Sequence, residues 1–192
     1  MKKISKIFFG LGTILIILSI FFLINDLNED KLAGSTSKKV LGIIENDLDN
    51  NDNSNKNYVD DTILIDGYNY IGIIEIPSIN LKLPIISTFD YDRLKIAPCI
   101  YYGSIETNDL VICGHSYKNH FRYLKELKSG DIITITDMNS NTYYYEVALV
   151  EILKPTEVLE MIESSFDLTL YTCSYGALKR ITVRCNRIYD YV

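Results

Sequence analysis

Thr169 to Arg184 reads T-L-Y-T-C-S-Y-G-A-L-K-R-I-T-V-R, two strand-like segments joined by a six-residue connection, 174–179, that carries one glycine, Gly176. Alternate residues of a strand point to opposite faces. Ile181, Val183 and Cys185 therefore share a core face, and Arg180, Thr182 and Arg184 share the other. In the first segment Thr169, Tyr171 and Cys173 oppose Leu168, Leu170 and Thr172. Antiparallel pairing through the connection brings Cys173 and Arg180 to one end of the sheet. A thiol would there face a guanidinium, whose fixed donors suit an oxyanion. The alternative is that Arg180 and Arg184 form a solvated strand face.

A nucleophilic cysteine needs a base or a cation nearby, because a free thiol titrates near about 8.5 and is mostly protonated at neutral pH. The chain has two histidines, His115 and His120. His115 follows the buried-strand pattern Asp109-Leu110-Val111-Ile112-Cys113 and Gly114, so it is expected at an exposed strand end. His120 lies in a polar segment beside Phe121 and is expected to be solvated. Four cysteines, at 99, 113, 173 and 185, contain no C-x-x-C pair. That spacing argues against a redox dithiol or a zinc ribbon, and no metal or cofactor is expected. Two disulfides stand as an alternative reading of the even count. Cys99, Cys113 and Cys185 are otherwise expected to behave as small apolar residues.

The start of the chain sets the expected compartment. Lys2, Lys3 and Lys6 precede a predominantly apolar run of 18 residues, Ile7 to Ile24. As a helix it spans about 27 Å, near the hydrocarbon thickness of a bilayer. Acidic and polar residues from Asn25 to Asp30 follow it directly, with no small-x-small cleavage pattern at the boundary. The expected organisation is a cytoplasmic tail (1–6), an uncleaved transmembrane anchor (7–24), a polar, flexible extracellular stalk (25–66) and a catalytic domain (67–192). By the positive-inside rule this is a single-pass cell-membrane protein with its N-terminus in the cytoplasm. The stalk reading leans on D-L-D-N-N-D-N-S-N-K-N at 47–57, which is too polar to bury. A short helical turn is expected within it at 40–44.

Between anchor and hairpin, many short strand patterns alternate with turn signals and few helices. Strands are predicted at 70–76, 80–83, 109–113, 131–136 and 143–150, and short helices near 91–96, 121–127 and 157–162. That mixture implies a mostly β barrel or sandwich. Tyrosine is abundant, at 15, and tryptophan is absent. A net charge of −6 without a basic stripe gives no nucleic-acid footprint.

T-L-Y-T-C at 169–173, R-I-T-V at 180–183, V-I-C-G-H at 111–115, I-P-S-I-N-L-K-L-P-I at 76–85 and G-D-I-I-T-I-T-D at 130–137 resemble the sortases, cysteine transpeptidases of Gram-positive surfaces. The resemblance covers about Tyr70 to Ile188. It implies an eight-stranded sortase-type β-barrel with short helices, preceded here by one transmembrane helix. It also implies a groove carrying Cys173 as nucleophile, His115 as acid and base, and Arg180 as oxyanion or carbonyl donor, with Thr172 and Thr182 contacting substrate. The expected reaction cleaves an L-P-x-T-G-like signal through a thioacyl intermediate. The acyl chain then passes to a peptidoglycan-precursor amine or a pilin lysine, so the partners are surface proteins bearing C-terminal sorting signals. The T-C-S-Y run leans towards class B, whereas 150–169 is short for that class's helix, and the subclass stays open. Two alternatives are a secreted cysteine protease and a non-catalytic, membrane-anchored binding module.

Overall fold

The computed structural model describes residues 2–49, 58–59 and 61–190. In chain order its elements are α1 (Lys2–Asp49), β1 (Tyr58–Val59), β2 (Thr62–Ile65), β3 (Tyr68–Ile76), β4 (Leu81–Ile86), β5 (Cys99–Tyr102), β6 (Leu110–Gly114), β7 (Ile132–Asp137), β8 (Thr142–Leu153), α2 (Val158–Ile162), β9 (Leu168–Cys173) and β10 (Arg180–Ile188). Single 3-10 segments occupy Pro77–Ile79, Arg93–Lys95, Phe121–Glu126 and Tyr175–Ala177.

Eight strands close on themselves in the order β3-β4-β5-β6-β9-β10-β8-β7, with β7 pairing back to β3. The predicted eight-stranded barrel is what forms. Closure happens on one edge of β3, which pairs with β2 at its start and with β7 from Gly72 to Glu75. Gly72 marks the change, with a register irregularity on the β4 side and φ +149. The Thr136 carbonyl stands where a Cβ would be, so only glycine lets β7 approach there. β4 contains Pro84 and meets β5 only at Ile86↔Cys99, so it keeps the edge character its proline implies.

Strand alternation produces two apolar layers. Inside the barrel Ile74, Ile112, Ile133, Tyr145, Leu170, Val183 and Cys185 pack together. The outer layer joins Tyr70, Ile73, Ile86, Val111 and Tyr171 to Val40 and Ile44 of α1.

That last contact departs from the expected stalk. Residues 25–49 continue α1 without a break, and the stretch expected as a helical turn at 40–44 is part of it. Asp30, Ala33, Ser37, Val40 and Ile44, spaced three and four apart, form a buried stripe. Burying side chains such as Val40 and Ile44 contributes roughly 1.5–3 kcal/mol each. Lys39 pairs with Asp66 (2.9 Å) and Glu45 with Lys82 (2.8 Å). β1 and β2 also lie inside the expected stalk, so folded structure begins well before residue 67. Of the polar run at 47–57, positions 50–57 lie outside the described residues. By contrast the apolar side chains from Phe8 to Ile24 are 46–79% exposed. This part of α1 packs on nothing described, and it is long and apolar enough to be a candidate membrane span.

Candidate active site

The hairpin pairs in the expected register, Arg180↔Cys173 and Thr182↔Tyr171. On its other edge β9 runs parallel to β6, with Gly114↔Thr172 as the last pair. His115 and Cys173 are the next residues of the two strands, so the end of β6 and the β9–β10 hairpin bring the imidazole, thiol and guanidinium to one sheet end. Gly114 is required there: the Phe121 ring occupies the position of a Cβ. The turn is closed by the Phe121 N–H donating to the His115 carbonyl at 3.1 Å.

Burial separates the four thiols, all of which are free. Cys99, Cys113 and Cys185 are 0–3% exposed. Desolvation pushes Cys99 and Cys113 up to about 12 and Cys185 upward as well. Cys173 alone is partly exposed. Burial also lowers His115 below the usual imidazole range, against the opposing pull of Glu29, Asp26 and Asp30; Lys95 lowers it further. The His115 ring lies nearly parallel to that of Tyr117, with centroids 3.8 Å apart at 16°. The Tyr117 hydroxyl donates to Glu29 of α1 at 3.1 Å.

Beside this end of the sheet is a cleft of about 260 Å³, lined by Phe89, Tyr91, Tyr101 and Tyr171 together with Met161 and Arg180. Edge-to-face contacts link Phe89 to Tyr101 (5.2 Å) and Tyr101 to Tyr171 (5.4 Å). Arg180 donates to the carbonyls of Ala177 (3.1 Å) and Lys179 (3.4 Å), which holds the connection against β10. A larger hollow of about 640 Å³ lies at the far end of α1. Its Lys82 is already paired with Glu45 and Glu75, and its hydroxyls, Thr136 and Ser140, have no cysteine or histidine beside them among the described lining residues.

Several expectations need correction. Arg184 is not on a solvated face: it is 3% exposed beneath α2. It donates to Glu151 (2.7 Å), to the Met161 and Glu160 carbonyls (3.1 and 2.5 Å) and to Thr169 (2.9 Å). α2 and the chain ends around it cover the outer face that alternation alone leaves open. Thr182 is enclosed for the same reason, its hydroxyl on the Met161 sulfur at 3.9 Å. Thr172 points inward with Leu168 and Leu170 and is fully buried. Neither threonine reaches the cleft. His120 is fully buried instead of solvated, with Nε2 3.0 Å from the Ser37 hydroxyl, because α1 roofs its loop. Tyr171 escaped the sequence reading although it shares a face with Cys173, a signal that alternation carried. Tyr117 had no such signal.

A sortase-domain family model matches residues 74–188. The chain belongs to the sortase family. It is 31% identical to sortase D of Bacillus subtilis (strain 168) over 127 residues, covering 61% of this chain and 63% of that one. Among solved structures, sortase A from Corynebacterium diphtheriae is 29% identical with a TM-score of 0.58, over 65% of this chain and 63% of that one. A Clostridium perfringens sortase D5 transpeptidase has a TM-score of 0.61, over 80% of this chain and 99% of that one. At 20% identity that likeness is one of fold. The chain thus spans a little under two thirds of the first two relatives' lengths. These sortase relatives carry different class letters, and no one subclass follows from them.

Proposed function

We propose that this sortase is a membrane-anchored cysteine transpeptidase acting on surface proteins with an L-P-x-T-G-like sorting signal. The observation that carries the proposal is the pairing of the one partly exposed thiol, Cys173, with Arg180 beside an aromatic cleft. His115 stands one residue past the last β6–β9 pair. Cys173 Sγ attacks the carbonyl carbon of the scissile peptide bond, and Arg180 donates to the developing oxyanion. The C–N bond then breaks, and His115 gives its proton to the departing amine. The resulting thioester is attacked by an amine of a peptidoglycan precursor or a pilin lysine. His115 takes a proton from that amine, and the thiolate leaves. The aromatic cleft supplies apolar walls for the signal's side chains. The candidate span would anchor the chain in the cell membrane, N-terminus inside.

The test incubates the 192-residue chain in detergent with a panel of sorting-motif peptides, with and without diaminopimelate or glycine amines. Peptide–amine adducts from the native protein, and neither cleavage nor adduct from Cys173→Ala, are expected. Cleavage without adduct at any amine concentration would identify a protease instead. An unaffected Cys173→Ala variant would end the cysteine reading.

A further inference from the structure

Catalytic imidazoles are usually oriented by a hydrogen bond on the nitrogen that does no chemistry. His115 lacks that support: its Nδ1 is buried, and no described protein group is within hydrogen-bond reach of it. What the ring does have is an aromatic face. Tyr117 lies against it at 3.8 Å and 16°, and meets His120 on a tilted contact at 5.6 Å and 57°. Tyr117 is itself 7% exposed and fixed at its far end by Glu29. The same loop is tied again by the Asn119 amide and side chain to Asp30, and by His120 to Ser37. Gly34 of α1 gives the room: a Cβ there would strike the Asn119 side chain.

We infer that Tyr117 is the positioning residue for His115, and that α1 completes the site by holding Tyr117 through Glu29. The inference rests on the reading of His115 as the proton-transfer group. Stacking fixes the plane of the ring while leaving both nitrogens free. Glu29 adds a second effect, because its carboxylate favours the protonated imidazole. The other charged or titratable groups facing His115 are Asp26 and Asp30 from α1, Lys95 from the 93–95 turn, and His120 from its own loop. α1 therefore contributes three acids to the field around the imidazole, against one lysine.

The experiment uses the full chain in detergent, comparing Tyr117→Phe, Tyr117→Leu and Glu29→Gln with the native protein. Three readouts are taken: kcat/KM across pH, thermal midpoint, and the His115 imidazole proton resonances. Loss of one aromatic stack should lower kcat/KM about tenfold in Tyr117→Leu. Tyr117→Phe keeps the ring but loses the hydroxyl bond to Glu29, so it should recover part of that loss and stay below the native rate. In Tyr117→Leu the upfield displacement of the His115 resonances should vanish. In Glu29→Gln the acid limb of the profile and the His115 titration should both move to lower pH, with a matching fall in rate. Equal rates for Phe and Leu, or an undisplaced His115 resonance in the native protein, would overturn the positioning role. An unmoved acid limb in Glu29→Gln would overturn the part assigned to α1. His115→Ala separates the two levels: full activity there would refute the proton-transfer reading, while the His115 resonances of the native protein and of Tyr117→Leu would still report the stack.

Discussion

Arg180 and Arg184 differ by two positions on one strand face, yet the structure gives them opposite physical roles. Arg180 is partly exposed beside the cleft, and its bonds inside the protein go to two loop carbonyls. Arg184 is sealed under α2 with a carboxylate partner and three further acceptors. Arg180→Ala should therefore cut turnover by about 100-fold with little change in thermal midpoint. Arg184→Ala should instead destabilise by about 3 kcal/mol, because the buried guanidinium's bonds to Thr169 and Met161, its pair with the partly exposed Glu151 and the tether of α2 go together. Turnover and urea midpoints for the two variants check this; a rate loss confined to Arg184→Ala would reverse the assignment. The imidazole supports a second prediction. His115 must be protonated to serve the leaving amine, and burial lowers its titration below 6.5. The acid limb of kcat/KM should therefore fall below pH 6.5. A profile with its acid limb at or above pH 6.5 would contradict this.

The dominant element outside the barrel is α1, and its docking is tied to a titratable group. Burial holds His120 down to about 4, against 6.5 for a free imidazole, while its Nε2 meets Ser37 of the helix. The native state therefore excludes a proton that the unfolded chain binds below about pH 6.5. Stability from this group is complete above 6.5 and falls as pH drops towards 4, by about 3 kcal/mol in all. Urea midpoints of native protein and His120→Gln at pH 7 and about pH 4.5 should diverge, with the variant losing less on acidification. Parallel losses would mean that His120 does not sense the helix. The helix also shows where sequence reading ran out. The barrel strands were legible because apolar alternation, as in Arg180 to Cys185, is local and directional. The docked stripe of α1 was masked because Asp30 and Ser37 occupy two of its five positions, and their partners lie far along the chain. Arg184 and Thr182 were misjudged for a related reason: nothing local announces that α2 will fold over them.

At the scale of the molecule, barrel and helix share one apolar layer, so the folded unit is larger than the barrel alone. Val40 and Ile44 cover the outer side of the cluster around Tyr70, Ile73 and Ile86, with Leu41 and Leu48 beside them. α1 also runs unbroken from the apolar stretch to the docked stripe, with Glu29 five residues past Ile24. That separation is about 8 Å of helix rise, which would hold the proposed site near the bilayer surface. The family match begins at residue 74, far downstream of the helix it does not include. A soluble piece cut at residue 58 would satisfy that match yet expose the layer that α1 covers. A piece beginning at residue 26 keeps the stripe. The longer piece should be more stable by about 5 kcal/mol, the value of two buried aliphatic side chains. That corresponds to a thermal midpoint roughly 15 °C higher. Its turnover on a soluble peptide should also be greater, since Glu29 and the roof over His120 remain in place. Scanning calorimetry and amine-transfer rates on the two pieces decide the matter. Equal midpoints and equal rates would mean that the helix rests on the barrel without supporting it.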